Sequence, residues 1–222
     1  IRLATLDLYD GIVYQVSGAG GPVSGVYQRV GRSMPGGAQG ETAVVRVQID
    51  ALRGVWVPDA GYLSGVEVAG ARASELRSGL HYNPATGTAL QTAGVMAGDT
   101  YTFTTAMAAS PSDEQVSKAT LSKLTLPAPA MTPDAVQTIL DDALPEVVPP
   151  AGQALQIRNY LNDKGFFSNG QGPNAVPSLP GHGYRRLSDM LEQQQLIVDD
   201  EQYAVVMALM LAKSGVPARV VM

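Results

Sequence analysis

The sequence predicts an α+β protein in two parts, a β-sandwich-like domain with its linker over residues 1–131 and a helical, mixed α+β domain over 132–222. Three observations carry this. The first half is a succession of short alternating runs separated by Gly, Pro, Asn and Asp turn residues, the pattern of antiparallel sheets. A proline-bearing stretch over 108–132, containing S-P-S-D-E and L-P-A-P-A-M-T-P, interrupts regular pairing. Beyond it, residues 203–212 are apolar on almost every side, which suits a helix in the middle of a domain.

In order along the chain, residues 1–16 (I-R-L-A-T-L-D-L-Y-D-G-I-V-Y-Q-V) alternate as two strands around a turn at Asp10-Gly11, a pair that favours hairpins. Turn chemistry accounts for Asp7 and Asp10. Residues 17–25 and 31–40 are Gly-rich loops, and neither has the G-x-x-x-x-G-K-[ST] spacing that cradles phosphate. Strands are expected at 26–30, 42–49, 55–58 and 66–68, then a hairpin over 79–92 around N-P-A-T-G. His81 beside that turn reads as an exposed strand residue. Trp56, the single tryptophan, reads as a core or interface anchor, since a carbohydrate platform needs a second exposed aromatic. Residues 99–106 form the cleanest strand, with Tyr101 and Phe103 on one face.

Past the linker, Thr132 is expected to cap a helix with Pro133 at its first position and Ala135, Ile139, Leu140 and Leu144 as its apolar stripe. A second helix spans 151–164, with Ala154, Ile157, Tyr160 and Leu161 on one face. Residues 167–183, dense in Gly and Pro, form a long loop that holds His182 between two glycines. A short helix over 184–193 turns Leu187, Met190 and Leu191 inward. The central helix then starts at Asp199, which can cap it reciprocally with Gln202, while Asp200 and Glu201 place negative charge at the positive end of the helix dipole. Gly215 and Pro217 end it, and 216–222 reads as a covered strand.

Composition excludes several function classes. A formal charge of −5 without a basic run speaks against nucleic-acid binding. The chain has no cysteine, which removes disulfides, thiolate metal sites and any cysteine nucleophile. Its two histidines, His81 and His182, lie far apart and without nearby carboxylate spacing, so neither a metal nor a cofactor is expected. No apolar run reaches the ~18 to 20 residues of a membrane span.

Two stretches resemble a known family. The V-D-D-E-Q-Y-A start of the central helix and the G-V-P-A-R-V-V run at 215–221 are similar to bacterial transglutaminase-like proteins of the papain-like superfamily, in particular the membrane-anchored, TgpA-like group with an extracytoplasmic core. Glu201, Gln202, Tyr203 and Ala204 match the residues that follow the family's nucleophilic cysteine. Leu3, Thr5, Leu6, Asp7, Tyr9, Asp10 and Gly11, with Tyr14 nearby, match a run at the start of the family's extracytoplasmic region. The departure is at the nucleophile, where the cysteine position is held by Asp200 and the preceding glycine by Val198. A helix N-terminus that would favour a thiolate favours a carboxylate equally, but a carboxylate is a poor nucleophile toward an amide.

The resemblance implies 132–222 as the N-terminal part of a transglutaminase-like core, truncated at its C-terminal end, with the family's His and Asp expected beyond Met222. It also implies a location on the extracytoplasmic face of a membrane, with tethering by flanking transmembrane helices. The expected function is therefore a pseudoenzyme with no catalytic residue, which binds an extended peptide or a cell-wall polymer. Its groove candidates are His182, Asp199, Asp200, Glu201, Gln202 and Tyr203. Two other readings stand beside it: a hydrolase or transferase that uses the carboxylates around Asp200, and an adhesion or assembly module that works through the β domain. Successive helix positions point about 100° apart, so three adjacent carboxylates do not converge. His182 could act as an acid or base only with a nucleophile in reach, and a hydrogen-bonded loop histidine is the expected reading.

Overall fold

A computed structural model describes residues 1–18, 25–34, 40–171, 173 and 175–222. Most of the two Gly-rich loops read at 17–25 and 31–40 lies outside the described residues. The chain forms two compact units, one of residues 1–6, 18–110 and 221–222 and the other of 7–17 and 111–220. This division falls at 110/111, whereas the proline pattern suggested 131/132, and it assigns the early hairpin to the second unit.

The first unit opens with β1 (Thr5–Leu6). In the second unit, β2 (Leu8–Tyr9) and β3 (Tyr14–Gln15) form the early hairpin, with Gly11 at φ +97° in its turn. Back in the first unit come β4 (Gln28–Arg29), β5 (Glu41–Gln48), β6 (Gly54–Val57), β7 (Tyr62–Ala69), α1 (Ala73–Gly79), β8 (Leu80–Asn83), β9 (Thr88–Val95) and β10 (Thr100–Met107). One antiparallel sheet has the order β5-β10-β7 and the other β4-β8-β9-β6. The expected hairpin appears as β8 and β9, paired from Leu80 opposite Gln91 to Asn83 opposite Thr88. Alternation along β10 turns Tyr101 and Phe103 inward, both fully buried with stacked rings 5.8 Å apart. Val57, Leu63, Leu76, Tyr82 and Ala89 join them in a single hydrophobic cluster fed by both sheets. Each large side chain so buried stabilises the unit by about 1.5–3 kcal/mol. Met222 exchanges backbone bonds with Leu3 and Ala4, which ties both ends of the chain into this unit.

The second unit contains α2 (Asp113–Ser117), α3 (Ala135–Ala143), α4 (Pro150–Lys164), β11 (Gly165–Phe167), α5 (Tyr184–Leu191), β12 (Leu196–Val198) and α6 (Asp200–Lys213), and the strand β13 (Val220–Val221) follows. The stretch read as linker thus holds α2, started by a capping box between Ser112 and Gln115. Asp134, not Thr132, occupies the cap of α3, one position past the proline. In α4 Pro150 is at the first position, and Ala151, Ile157 and Leu161 are buried. In α5 the inward residues are Leu187, Met190 and Leu191, as the spacing requires. Seven residues of α6 are buried, from Gln202 to Leu211, and Gly215 closes the helix at φ +81°. Short parallel pairing joins β11 to β12, with Phe167 opposite Val198, and delivers the chain into the start of α6. Among the described residues no helix is long and apolar enough to cross a membrane.

Candidate functional site

The start of α6 is fixed by a reciprocal cap. Gln202 donates its backbone N–H to Asp199 Oδ1 at 3.2 Å, and Asp199 donates its own N–H to Gln202 Oε1 at 3.0 Å. Gln202 is fully buried, and its Nε2 also donates to the carbonyls of Gly181 at 2.9 Å and Leu179 at 3.3 Å. One amide therefore both caps the helix and holds the preceding loop. A buried amide satisfied on both ends is costly to replace, because an apolar side chain in its place can neither accept from the Asp199 N–H nor donate to the loop.

Asp200, the first residue of the helix, is exposed and faces a groove of about 650 Å³. The groove runs between α4 (Arg158, Leu161, Asn162), β11 (Gly165, Phe167) and α6 (Tyr203, Ala204, Met207). No hydrogen bond or ion pair engages the Asp200 carboxylate among the described residues. Arg158, the cation of this lining, is turned to Asp113 through a bidentate pair at 2.9 and 2.8 Å. Tyr203 is half-buried, and burial raises the pKa of its hydroxyl. That hydroxyl sits so close over Gly165 that a Cβ there would overlap it and the Leu161 carbonyl. Glycine is required at this point by approach, not by backbone angle.

Glu201 points elsewhere. Its Oε1 lies 2.5 Å from Nδ1 of His182, and its Oε2 accepts the Gly181 N–H at 3.2 Å. The other imidazole nitrogen, Nε2, accepts the backbone N–H of Tyr14 at 2.9 Å, and Tyr9 donates its hydroxyl to the His182 carbonyl at 2.7 Å. Because Nε2 accepts, the proton of the neutral ring sits on Nδ1 and is donated to Glu201. Both ring nitrogens are thereby engaged, and neither faces Asp200. His182 acts as a bracket that binds the hairpin β2–β3 to the start of α6.

No protein-family model and no curated protein matches the sequence. Among solved structures the fold is similar to the periplasmic domain of TgpA from Pseudomonas aeruginosa, with a TM-score of 0.52 and 14% sequence identity. The likeness covers 99% of this chain and 66% of that domain. It is a likeness of fold.

Within that fold the residues singled out from the sequence separate into three tasks. Asp199 and Gln202 cap the helix, Glu201 and His182 bracket the loop and hairpin, and Asp200 and Tyr203 line the groove. The three adjacent carboxylates thus have three different surroundings. Sequence reading did not place Arg158, Phe167 and Met207 in the groove, and it matched Tyr9 and Tyr14 to the family's opening run without linking them to His182. The first three belong to helix and strand faces whose register could have pointed to them, but no local pattern links Tyr14 to a histidine 168 residues away. Trp56 is half-buried beside Tyr27, their rings 6.1 Å apart and inclined by 57°, which offers no flat platform for a sugar. His81 lies half-buried in β8, its Nδ1 3.0 Å from the Gly79 carbonyl.

Proposed function

We propose that this chain is an extracytoplasmic, transglutaminase-like module without thiol chemistry, whose groove beside Asp200 binds an extended peptide or a cell-wall polymer. The observation that carries the reading is the position of Asp200, a carboxylate with no partner among the described residues, at the first turn of the buried helix and facing a groove in a chain without cysteine. The fold likeness to a periplasmic domain supports an extracytoplasmic location. The proposal includes the finer architecture, with a sandwich-like packing of the two sheets and a papain-like arrangement around α6, and a membrane tether outside the sequence described. A helix-stabilised carboxylate is unreactive toward amides, so what the groove retains is shape, apolar walls and a negative charge.

Amide shifts of the labelled chain on titration with extended peptides and with soluble cell-wall fragments test this. Shifts at Phe167, Tyr203 and Ala204 are expected with one of these ligands, and Ala204→Trp, which fills the groove, should abolish them. If neither ligand class moves these amides, the binding role is wrong.

A further inference from the structure

In the first unit, residues 30–34 link the two sheets: Val30 donates its N–H to the Leu80 carbonyl, Val66 donates to the Arg32 carbonyl, and Met34 donates to the Ser64 carbonyl. Beside this crossing a cleft of about 150 Å³ opens toward the shared core. Its walls are Val66, Val68 and Leu80, which are 5%, 6% and 1% exposed, and its mouth is framed by Gly31, Arg32 and Arg77. Among the described residues no acidic side chain lines it; Glu67 alternates to the opposite face of β7.

We propose that this cleft binds a carboxylate carried on a small apolar body. Three features point to that chemistry. The volume matches the apolar cavities of about 150 Å³ that stay dry and accept a benzene-sized molecule. Arg32 is exposed at the cleft and its guanidinium has no partner among the described residues, which leaves it free to turn to a ligand there. Arg77 donates Nη2 to the Val68 carbonyl at 3.1 Å, which fixes the guanidinium at the mouth and leaves the rest of its fork of donors open. Guanidinium forks match carboxylates in geometry and charge, whereas a cation would meet two like charges and a bare phosphate would leave the apolar walls unused. The carboxylate can belong to a free small acid or to the C-terminus of a peptide that ends in an apolar residue. This site is separate from the groove at Asp200, so its failure would leave that reading untouched.

The test is a titration of the 222-residue chain, followed through the amides of Val66, Val68 and Leu80, with benzoate, benzamide, inorganic phosphate, and a short peptide ending in leucine as free acid or as amide. Saturable shifts are expected with benzoate or the free-acid peptide, and binding of benzamide, phosphate and the amidated peptide should be weaker by roughly tenfold or more. Binding of benzoate alone identifies a free acid as the ligand, and binding of the free-acid peptide identifies a chain end. Arg32→Gln and Arg77→Gln should each weaken the acid by roughly tenfold. The Arg32 variant removes no internal bond and so keeps the fold. Equal binding of acid and amide, an affinity unchanged in both arginine variants, or no shift with either acid would each overturn the proposal.

Discussion

His182 donates its Nδ1 proton to Glu201 across 2.5 Å, and with Nε2 accepting from the Tyr14 backbone the ring has no nitrogen left for a reaction. Its work is to hold the hairpin β2–β3 on the loop that leads to α6. His182→Ala should free the Tyr14 amide and lower stability by about 1–3 kcal/mol, since a half-buried donor and a carboxylate both lose their partner. Hydrogen exchange at Tyr14 and denaturant unfolding read the two effects. Glu201→Gln keeps an acceptor opposite Nδ1 and should cost less.

Gln202 joins the helix cap to the loop before it through three side-chain hydrogen bonds. Gln202→Leu should destabilise the chain by about 2–3 kcal/mol, combining a lost cap with the loss of the Gly181 carbonyl's donor, while Arg186 Nε still donates to the Leu179 carbonyl at 2.9 Å, whereas Asp199→Ala should cost about 1 kcal/mol. Urea midpoints at constant slope decide the order, and an equal cost for both would mean that the Gly181 carbonyl finds water.

At Gly165 the contact with Tyr203 predicts coupling. Gly165→Ala should destabilise by about 1–3 kcal/mol through overpacking. Adding Tyr203→Phe removes the hydroxyl that the new methyl meets and should restore part of the loss, although the Leu161 carbonyl remains in the way. A double-mutant cycle measures this, and strict additivity would contradict the contact.

Asp59 gives a pH dependence. Burial pushes its carboxyl from 3.8 up to about 6, although the Arg2 guanidinium at 2.8 Å pulls it the other way. Between these values the folded chain holds a proton that the unfolded chain has released, so the stability contributed by this group is full below pH 4 and is lost as pH rises through about 6. The loss is on the order of 3 kcal/mol, and it should vanish in Asp59→Asn when melting is compared from acid to neutral pH. A wild type that gains stability over this window relative to the variant would show that the ion pair with Arg2 outweighs burial.

Local signals in the sequence were read correctly where chain neighbours determine the outcome. The cap between Asp199 and Gln202, the turn between β8 and β9, and the inward pair Tyr101 and Phe103 all follow from spacing alone. Reading failed where one residue had to carry a whole element: α1 buries Leu76 and Gly79 alone, too few positions to show a helical period. Ser64 and Gly65 masked the length of β7, which extends from Tyr62 to Ala69 because a sheet partner, β10, enforces it. The box at Ser112 and Gln115 was legible in principle but stood among prolines. The groove and the bracket could not be read, because both arise from elements brought together by tertiary packing.

The central claim is that Asp200 stands at the position of a reactive residue and does no chemistry. It is tested most directly by incubating the purified protein with a glutamine-containing peptide and a labelled primary amine, with amine incorporation and ammonia release as the readouts, for the wild type and for Asp200→Ala. The account predicts no turnover above the uncatalysed rate in either protein. Turnover by the wild type that Asp200→Ala abolishes would contradict it and make the carboxylate catalytic.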